Sequence, residues 1–240
     1  MVTPVLGNDG QNLKKPILVD DASTDSAADY LAGVPGITAI LNETNLGFSA
    51  GTNVGLKRPR GTYLCFLNPD TAVWPGWHER LSARLQDETV GMVGPISDNI
   101  AAAQFAGHYI PLAGQTLTGV AASAAQQFAG RFVETKLLIG LCAMVRRETL
   151  DRVGLLDEDL FLGREDLELS WRLRTHGLKL LLGLDTFVHH EGGVSFSSTS
   201  SEVKKRLLFE STEALLAKVR AAYGWRPPDT DLWGIEICHR

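Results

Sequence analysis

Up to Asp70, three short apolar runs each stop abruptly at a polar loop rich in Asp and Asn, and this recurrence constrains the fold more than any other feature of the chain. Pro16-Ile17-Leu18-Val19 halts at Asp20-Asp21-Ala22-Ser23-Thr24-Asp25. Ile37 to Leu41 gives way to Asn42-Glu43-Thr44-Asn45-Leu46-Gly47, and Gly61 to Leu67 to Asn68-Pro69-Asp70. Brief apolar runs bounded by turn formers are the pattern of buried parallel strands, because both faces of such a sheet are covered. Between them, Phe48-Ser49-Ala50-Gly51 leads into a helical segment expected near Asn53 to Lys57. The alternation predicts an α/β fold with a mostly parallel, mixed sheet flanked by helices, and such sheets bind ligands beyond the carboxyl ends of their strands. All three polar loops fall there.

The remainder of the chain continues the alternation. Trp77 to Leu85 offers Trp77, Leu81 and Leu85 on one helical face, and Val90 to Pro95 reads as the strand after it. From Ile100 to Thr135 the pattern weakens, with one helix expected near Ala121 to Phe128. Leu137 to Val145 is a clear apolar run, Arg146 to Val153 a short helix, and Glu165 to His176 a helix stopped by Gly177. Leu178 to Leu182 and Thr186 to Val188 are strand candidates ahead of His189-His190-Glu191-Gly192-Gly193. Glu202 to Tyr223 is a long helix, and Pro227-Pro228 ends the pattern.

Composition narrows the function classes. A formal charge of −5, with no basic block longer than Lys204-Lys205-Arg206, argues against a nucleic-acid partner. Cys65, Cys142 and Cys238 are far apart, the first two inside apolar runs, which fits thiols in a reducing compartment. No apolar run approaches a membrane span and no leader pattern is present, so the expected location is cytoplasmic, with contact at the inner membrane face left open.

Several polar groups invite chemistry. Asp70 after a buried strand reads, alone, as a turn or cap residue. A divalent cation that grips phosphates takes only one or two protein carboxylates, however, so a single one on a strand-end loop suffices. Asp20, Asp21 and Asp25 crowd one loop, and capping the next helix employs one of them. A carboxylate there can accept from a ribose hydroxyl or a base N–H. Glu165-Asp166 opens a helix, where carboxylates are favoured by the dipole. The alternative is a general base acting on an acceptor hydroxyl. Of His189 and His190, adjacent on a strand, one can face the cleft.

The ordered set Val19-Asp20-Asp21-Ala22-Ser23-Thr24-Asp25, Asn45-Leu46-Gly47-Phe48-Ser49-Ala50-Gly51-Thr52-Asn53 and Leu67-Asn68-Pro69-Asp70-Thr71 resembles the nucleotide-binding half of family 2 glycosyltransferases of the GT-A fold, in their rhamnosyltransferase-like group. Gly140 to Arg147, Glu165-Asp166 with Trp171-Arg172-Leu173, and His189-His190-Glu191-Gly192-Gly193 resemble the acceptor half, so the likeness runs from about Pro16 to Phe196. It implies transfer of a sugar from a nucleotide-diphosphate donor to a saccharide or lipid-linked hydroxyl acceptor, with inversion. By that resemblance Asp166, with Glu165, is catalytic. Asp20, Asp21, Asn45, Gly47, Asn53, Asn68 and Asp70 bind the nucleotide sugar, and Asp70 and His190 hold Mn2+ or Mg2+. It also implies one GT-A-like domain over 1–225, made of a nucleotide half (1–98), an acceptor half (99–200) and a C-terminal helix (201–225), with 226–240 a tail. Oligomeric state is left open.

Two departures accompany the likeness. Asn68 stands where an Asp-x-Asp metal motif has its first carboxylate. The family also places a strand, a loop and a long helix ahead of Ile17, whereas about sixteen residues precede it here, and Gly7 to Lys15 is too short for a crossover helix. Met1 to Leu6 is a candidate for a replacement strand. A partner chain, or nothing, are the alternatives, and a non-catalytic GT-A remnant serving as a binding or assembly module is the rival to an enzyme.

Overall fold

The structure, a computed structural model, describes residues 2–8, 16–58, 61–192 and 200–236. Gly193, Phe196 and Cys238, named above, lie outside them. In chain order the elements are β1 (Val2–Asn8), β2 (Ile17–Asp21), α1 (Ala27–Gly33), β3 (Thr38–Asn42), α2 (Phe48–Leu56), β4 (Tyr63–Leu67), β5 (Thr71–Val73), α3 (Trp77–Arg84) and β6 (Val90–Ser97). Then follow α4 (Leu117–Gln127), β7 (Phe132–Thr135), β8 (Cys142–Arg146), α5 (Arg147–Val153), α6 (Glu165–Thr175), β9 (Lys179–His190), α7 (Ser201–Tyr223) and α8 (Asp229–Trp233).

The strands form one sheet in the order β3-β2-β1-β4-β8-β6-β9-β5, with β7 also on β9. β2–β3 and β6–β9 are parallel pairs, and the other described pairings are antiparallel. Fewer neighbours are therefore parallel than the alternation of strands and helices suggests. Even so, β2, β3, β4, β6 and β9 all point the same way, so their carboxyl ends share one edge of the sheet. The polar loops expected at strand ends converge there.

The N-terminal segment does supply a strand, and it lies between β2 and β4, paired Val5↔Ile17 on one side and Val5↔Phe66 on the other. It runs against both neighbours. A parallel link into β2 would need a crossover of roughly a dozen or more residues, and only eight separate Asn8 from Ile17. Direction is set by that length.

The central strands are buried on both faces, which is why they read as unbroken apolar runs. Leu64 and Phe66 of β4, with Ala143 and Val145 of β8, pack toward Leu150, Leu169 and Leu173 of α5 and α6. Tyr63 and Cys65, with Cys142 and Met144, face Trp77, Leu81 and Leu85 at α3. The Cys65 and Cys142 sulfurs, free thiols, sit 4.0 Å apart in this second layer. α2 crosses β1 and β2 closely enough that a Cβ on Gly55 would stand 2.7 Å from Val5 Cγ2. The residues set apart as a tail carry α8, whose Leu232 and Trp233 are buried beside Leu167 and Trp171 of α6 and Leu215 of α7. Trp233 Nε1 donates to Leu167 O at 3.0 Å. No described helix is long and apolar enough to cross a membrane.

Candidate active site

The end of β2 carries Asp20 and Asp21, both buried. Asp20 Oδ1 accepts from the Ser23 amide at 3.3 Å and from the Ser23 hydroxyl. Asp21 accepts from Asn42 Nδ2 at 3.0 Å and from the Leu46 amide at 3.0 Å through each oxygen. Its carboxylate thus ties β2 to the loop after β3, and Gly51 lets α2 approach it, since a Cβ there would lie 3.2 Å from Asp21 Cγ. The chain turns away through Ala22 at φ 53°, a left-handed conformation that costs an alanine about 1 kcal/mol.

The loop into α2 is fixed from the other half of the chain. Gly47, at φ 83°, leaves no room for a side chain, because a Cβ would meet Phe161 O and its ring at 2.7 Å. Phe48 N donates to Phe161 O at 2.9 Å, and Ser49 Oγ to Leu160 O at 2.9 Å. Asn45 is exposed and accepts from Gly47 N at 2.9 Å. Asn53 is buried: its Nδ2 donates to Leu156 O at 2.8 Å and Glu158 Oε1 at 2.9 Å, while its Oδ1 accepts from Leu156 N at 3.0 Å. Asn53 therefore fastens α2 to the segment after α5.

After β4, Asn68 N donates to Leu141 O at 2.8 Å and Thr71 Oγ1 to Asn68 O at 2.7 Å, forming the turn that presents Asp70. β5 then pairs with the end of β9 in the register Thr71↔His190. The Asp70 side chain is 8% exposed, and its Oδ1 accepts no hydrogen bond yet stands 3.4 Å from His190 Nε2. His190 Nδ1 lies 3.0 Å from Asn99 O. A carbonyl only accepts, so Nδ1 carries a proton, and in the neutral ring the Nε2 lone pair is turned toward Asp70. At that distance either a second proton on the imidazole or a cation can bridge the two groups.

Glu165 and Asp166 open α6 behind Arg164, which takes φ 74° and donates through Nε to Thr212 Oγ1 at 2.9 Å. Burial, then the neighbouring Asp166 charge, raises the Glu165 pKa to about 8, outweighing Arg164. Its Oε2 has no hydrogen-bond partner. Burial also raises Asp166, opposed by the amides of Leu167 (2.8 Å) and Gly140. Of the two, Glu165 is the member that the Asp166 charge pushes toward keeping its proton at near-neutral pH.

Asn68, Gly140, Leu162, Glu165, Asp166 and His190 line one cleft of about 160 Å³, with Phe48 in its wall. Asp70 reaches that cleft through His190. Asp20 and Asp21 stand further along the same sheet edge, and Asn53 lies behind it. His189 is turned the other way: its Nδ1 meets Asp98 Oδ2 at 2.7 Å and its Nε2 meets Glu191 Oε2 at 3.3 Å. Burial pushes its pKa down, but the hydrogen bonds and charges of those two carboxylates overcome that and raise it. Asp98 and Asn99, just after β6, hold both histidines and carry no motif by which the sequence could have announced them. Among the described residues no group of three or more His, Cys, Asp or Glu converges on one metal position. A hard cation that keeps water and substrate oxygens for its other positions is compatible with two protein ligands.

A crevice along the carboxyl edge of an α/β sheet, floored by paired carboxyls and closed by a histidine–aspartate pair, belongs to the GT-A fold. The solved structure of GalNAc-T7 with UDP, GalNAc and Mn2+ matches it with a TM-score of 0.55 at 16% identity, over 87% of this chain and 44% of that one. The Pyrobaculum calidifontis mannosyltransferase in complex with GDP-Man and Mn2+ does so with a TM-score of 0.55 at 18% identity, over 89% and 56%. Within that fold the chain belongs to glycosyl transferase family 2, whose model matches residues 7–154. The dTDP-rhamnosyl transferase RfbF of Shigella flexneri is 21% identical over 165 residues, 68% of this chain and 54% of that protein. The chain thus spans about half the length of each of these three. Asp166 and His190 lie beyond the family match, so what is said of them rests on their geometry.

Proposed function

We propose that the chain transfers a glycosyl group from a nucleoside-diphosphate sugar to a hydroxyl acceptor, with inversion and with the help of Mn2+ or Mg2+. The observation that carries this is the meeting, in one cleft, of the Glu165–Asp166 pair with Asn68 and His190, while the buried Asp70 Oδ1 faces His190 Nε2 without a hydrogen bond. The donor set of one carboxylate, one imidazole lone pair and a neutral amide suits a divalent cation shared with a diphosphate. Bound there by Asp70 and His190, the cation supplies positive charge against the negative charge that develops on the leaving diphosphate.

The rest falls to the chain itself. Asp166, beside a Glu165 that keeps its proton, takes the acceptor's hydroxyl proton in its carboxylate form. The freed oxygen pair forms the new bond at the anomeric carbon as the bond to the diphosphate breaks, its electrons leaving with the diphosphate. Attack from the face opposite the leaving group inverts that carbon. Asp20, at the β2 end, suits a ribose hydroxyl or base N–H. Asp21 and Asn53 act by holding the loops on either side of α2, and the exposed Asn45 and the constrained Gly47 shape the rim.

The orientation of β1 favours a second reading, a binding module without turnover, because an antiparallel strand beside β2 alters the backbone next to Asp20. Calorimetric titration with UDP-, GDP- and dTDP-linked sugars, with and without each metal, separates the possibilities. Donor binding with transfer supports the enzyme, binding alone supports the module, and no binding of any donor refutes both. Asp166→Asn is expected to keep donor affinity and to cut turnover roughly 100- to 10,000-fold. Unchanged turnover would move the base elsewhere.

A further inference from the structure

We propose that Asp98 and Asn99 are positioning residues that set both the direction and the tautomer of His190, so that its Nε2 lone pair meets Asp70. The inference rests on the metal and diphosphate role proposed for Asp70 and His190. The backbone ladder between β6 and β9 ends at Ser97↔Val188. Immediately beyond it, two consecutive residues continue the hold by other means. Asp98 Oδ1 accepts from the His190 amide at 3.2 Å, and Asp98 Oδ2 is 2.7 Å from His189 Nδ1. Asn99 O is 3.0 Å from His190 Nδ1, and Asn99 Nδ2 donates to Glu191 O at 2.9 Å.

Each of these contacts removes one freedom. Of the two neutral tautomers, the carbonyl selects the Nδ1–H form, which places the lone pair on Nε2. The Asp98 bond to the His190 amide fixes where the ring begins. His189 is drawn to the other side of the strand, which keeps the two imidazoles from exchanging places. The Asn99 amide pins Glu191, and Gly192 follows at φ 81°, where a Cβ would meet Asn99 Nδ2 at 2.6 Å. Outer hydrogen bonds of this kind orient a ligating imidazole, and losing them typically weakens metal binding about 10- to 100-fold.

The test measures Mn2+ binding by electron paramagnetic resonance in the presence of UDP or GDP, and the His190 tautomer by nitrogen NMR of the metal-free protein. Asp98→Ala is expected to weaken Mn2+ about tenfold or more and to turn a pure Nδ1–H imidazole into a tautomer mixture. Asp98→Asn, which keeps an oxygen for the His190 amide, restores part of both. Asn99→Ala, which keeps the carbonyl, gives a smaller change and serves if Asp98→Ala does not fold. Mn2+ affinity within twofold of wild type in a folded Asp98→Ala protein, or an Nε2–H tautomer in the wild type, overturns the proposal. Should wild type bind no Mn2+ with UDP or GDP and no donor in the calorimetric titration, the proposed function fails, and the imidazole signal still decides the positioning.

Discussion

Replacing Glu165 by Gln removes a cleft carboxyl whose pKa is strongly raised. Its ordinary value of 4.5 is raised to about 8 by burial and by Asp166, and it borders a void of about 10 Å³ walled by Phe66, Met92, Leu138 and Leu169. Below the unfolded value the folded and unfolded chains both hold this proton, so the group contributes its full stability there. As pH rises toward about 8 the unfolded chain has released the proton and the folded chain has not. Stability therefore falls by about 1.4 kcal/mol per pH unit through that window and levels off above it. The full displacement corresponds to a ceiling of about 5 kcal/mol. The cleft admits water to one side of the carboxyl, so a realised difference of about 2–4 kcal/mol is expected. Gln has the same shape and cannot ionise, so the stability advantage of Glu165→Gln over wild type should grow from acidic pH to a plateau above about pH 8. Urea unfolding of both proteins from about pH 5 to about pH 9 measures it. A gap that does not change with pH would refute the reasoning, because it would mean an ionised, hydrated Glu165 in the folded protein.

Two further substitutions probe the scaffold under the cleft. Arg172 binds both Glu168 oxygens and also donates to Val153 O at 2.9 Å and Leu155 O at 2.7 Å. Arg172→Ala leaves a buried Glu168 unpaired and should cost about 3–5 kcal/mol in denaturant unfolding. Gly55→Ala gains roughly 1 kcal/mol of helix propensity but forces Val5 and Val19 apart from contacts of 2.7 and 3.0 Å. Overpacking costs about 1–3 kcal/mol, so the melting temperature should fall rather than rise.

Much of this was legible in residue order. The strand ends bearing Asp20, Asn42, Asn68 and His190 show in the sequence because burial on both faces demands apolar runs, and polar loops must interrupt them. The direction of β1 is invisible to such patterns: alternation and hydrophobicity say that a segment can pair, and only connection length says which way. Leu178 to Leu182 and Thr186 to Val188 read as separate strands across Gly183 and Asp185, yet β9 runs through. Asp185 is tolerated inside because its carboxylate accepts from Gly130 N at 2.8 Å and from Thr186 Oγ1 at 3.1 Å. Those partners come from folding, and nothing local foretells them. The same holds for Asp98 and Asn99, and for Asn53, whose bonds to Leu156 span 103 residues.

The orientation of β1 also bears on how the sheet assembles. Val5 meets Ile17 across twelve residues and Phe66 across sixty-one. Closing the shorter loop is cheaper by about 1.4 kcal/mol, so β1 and β2 can pair as a local hairpin before the longer closure onto β4. A parallel crossover strand in that place could form no such early pair. In this chain the middle of the sheet, where contacts are usually the most distant in sequence and the slowest to form, holds one of its most local pairings.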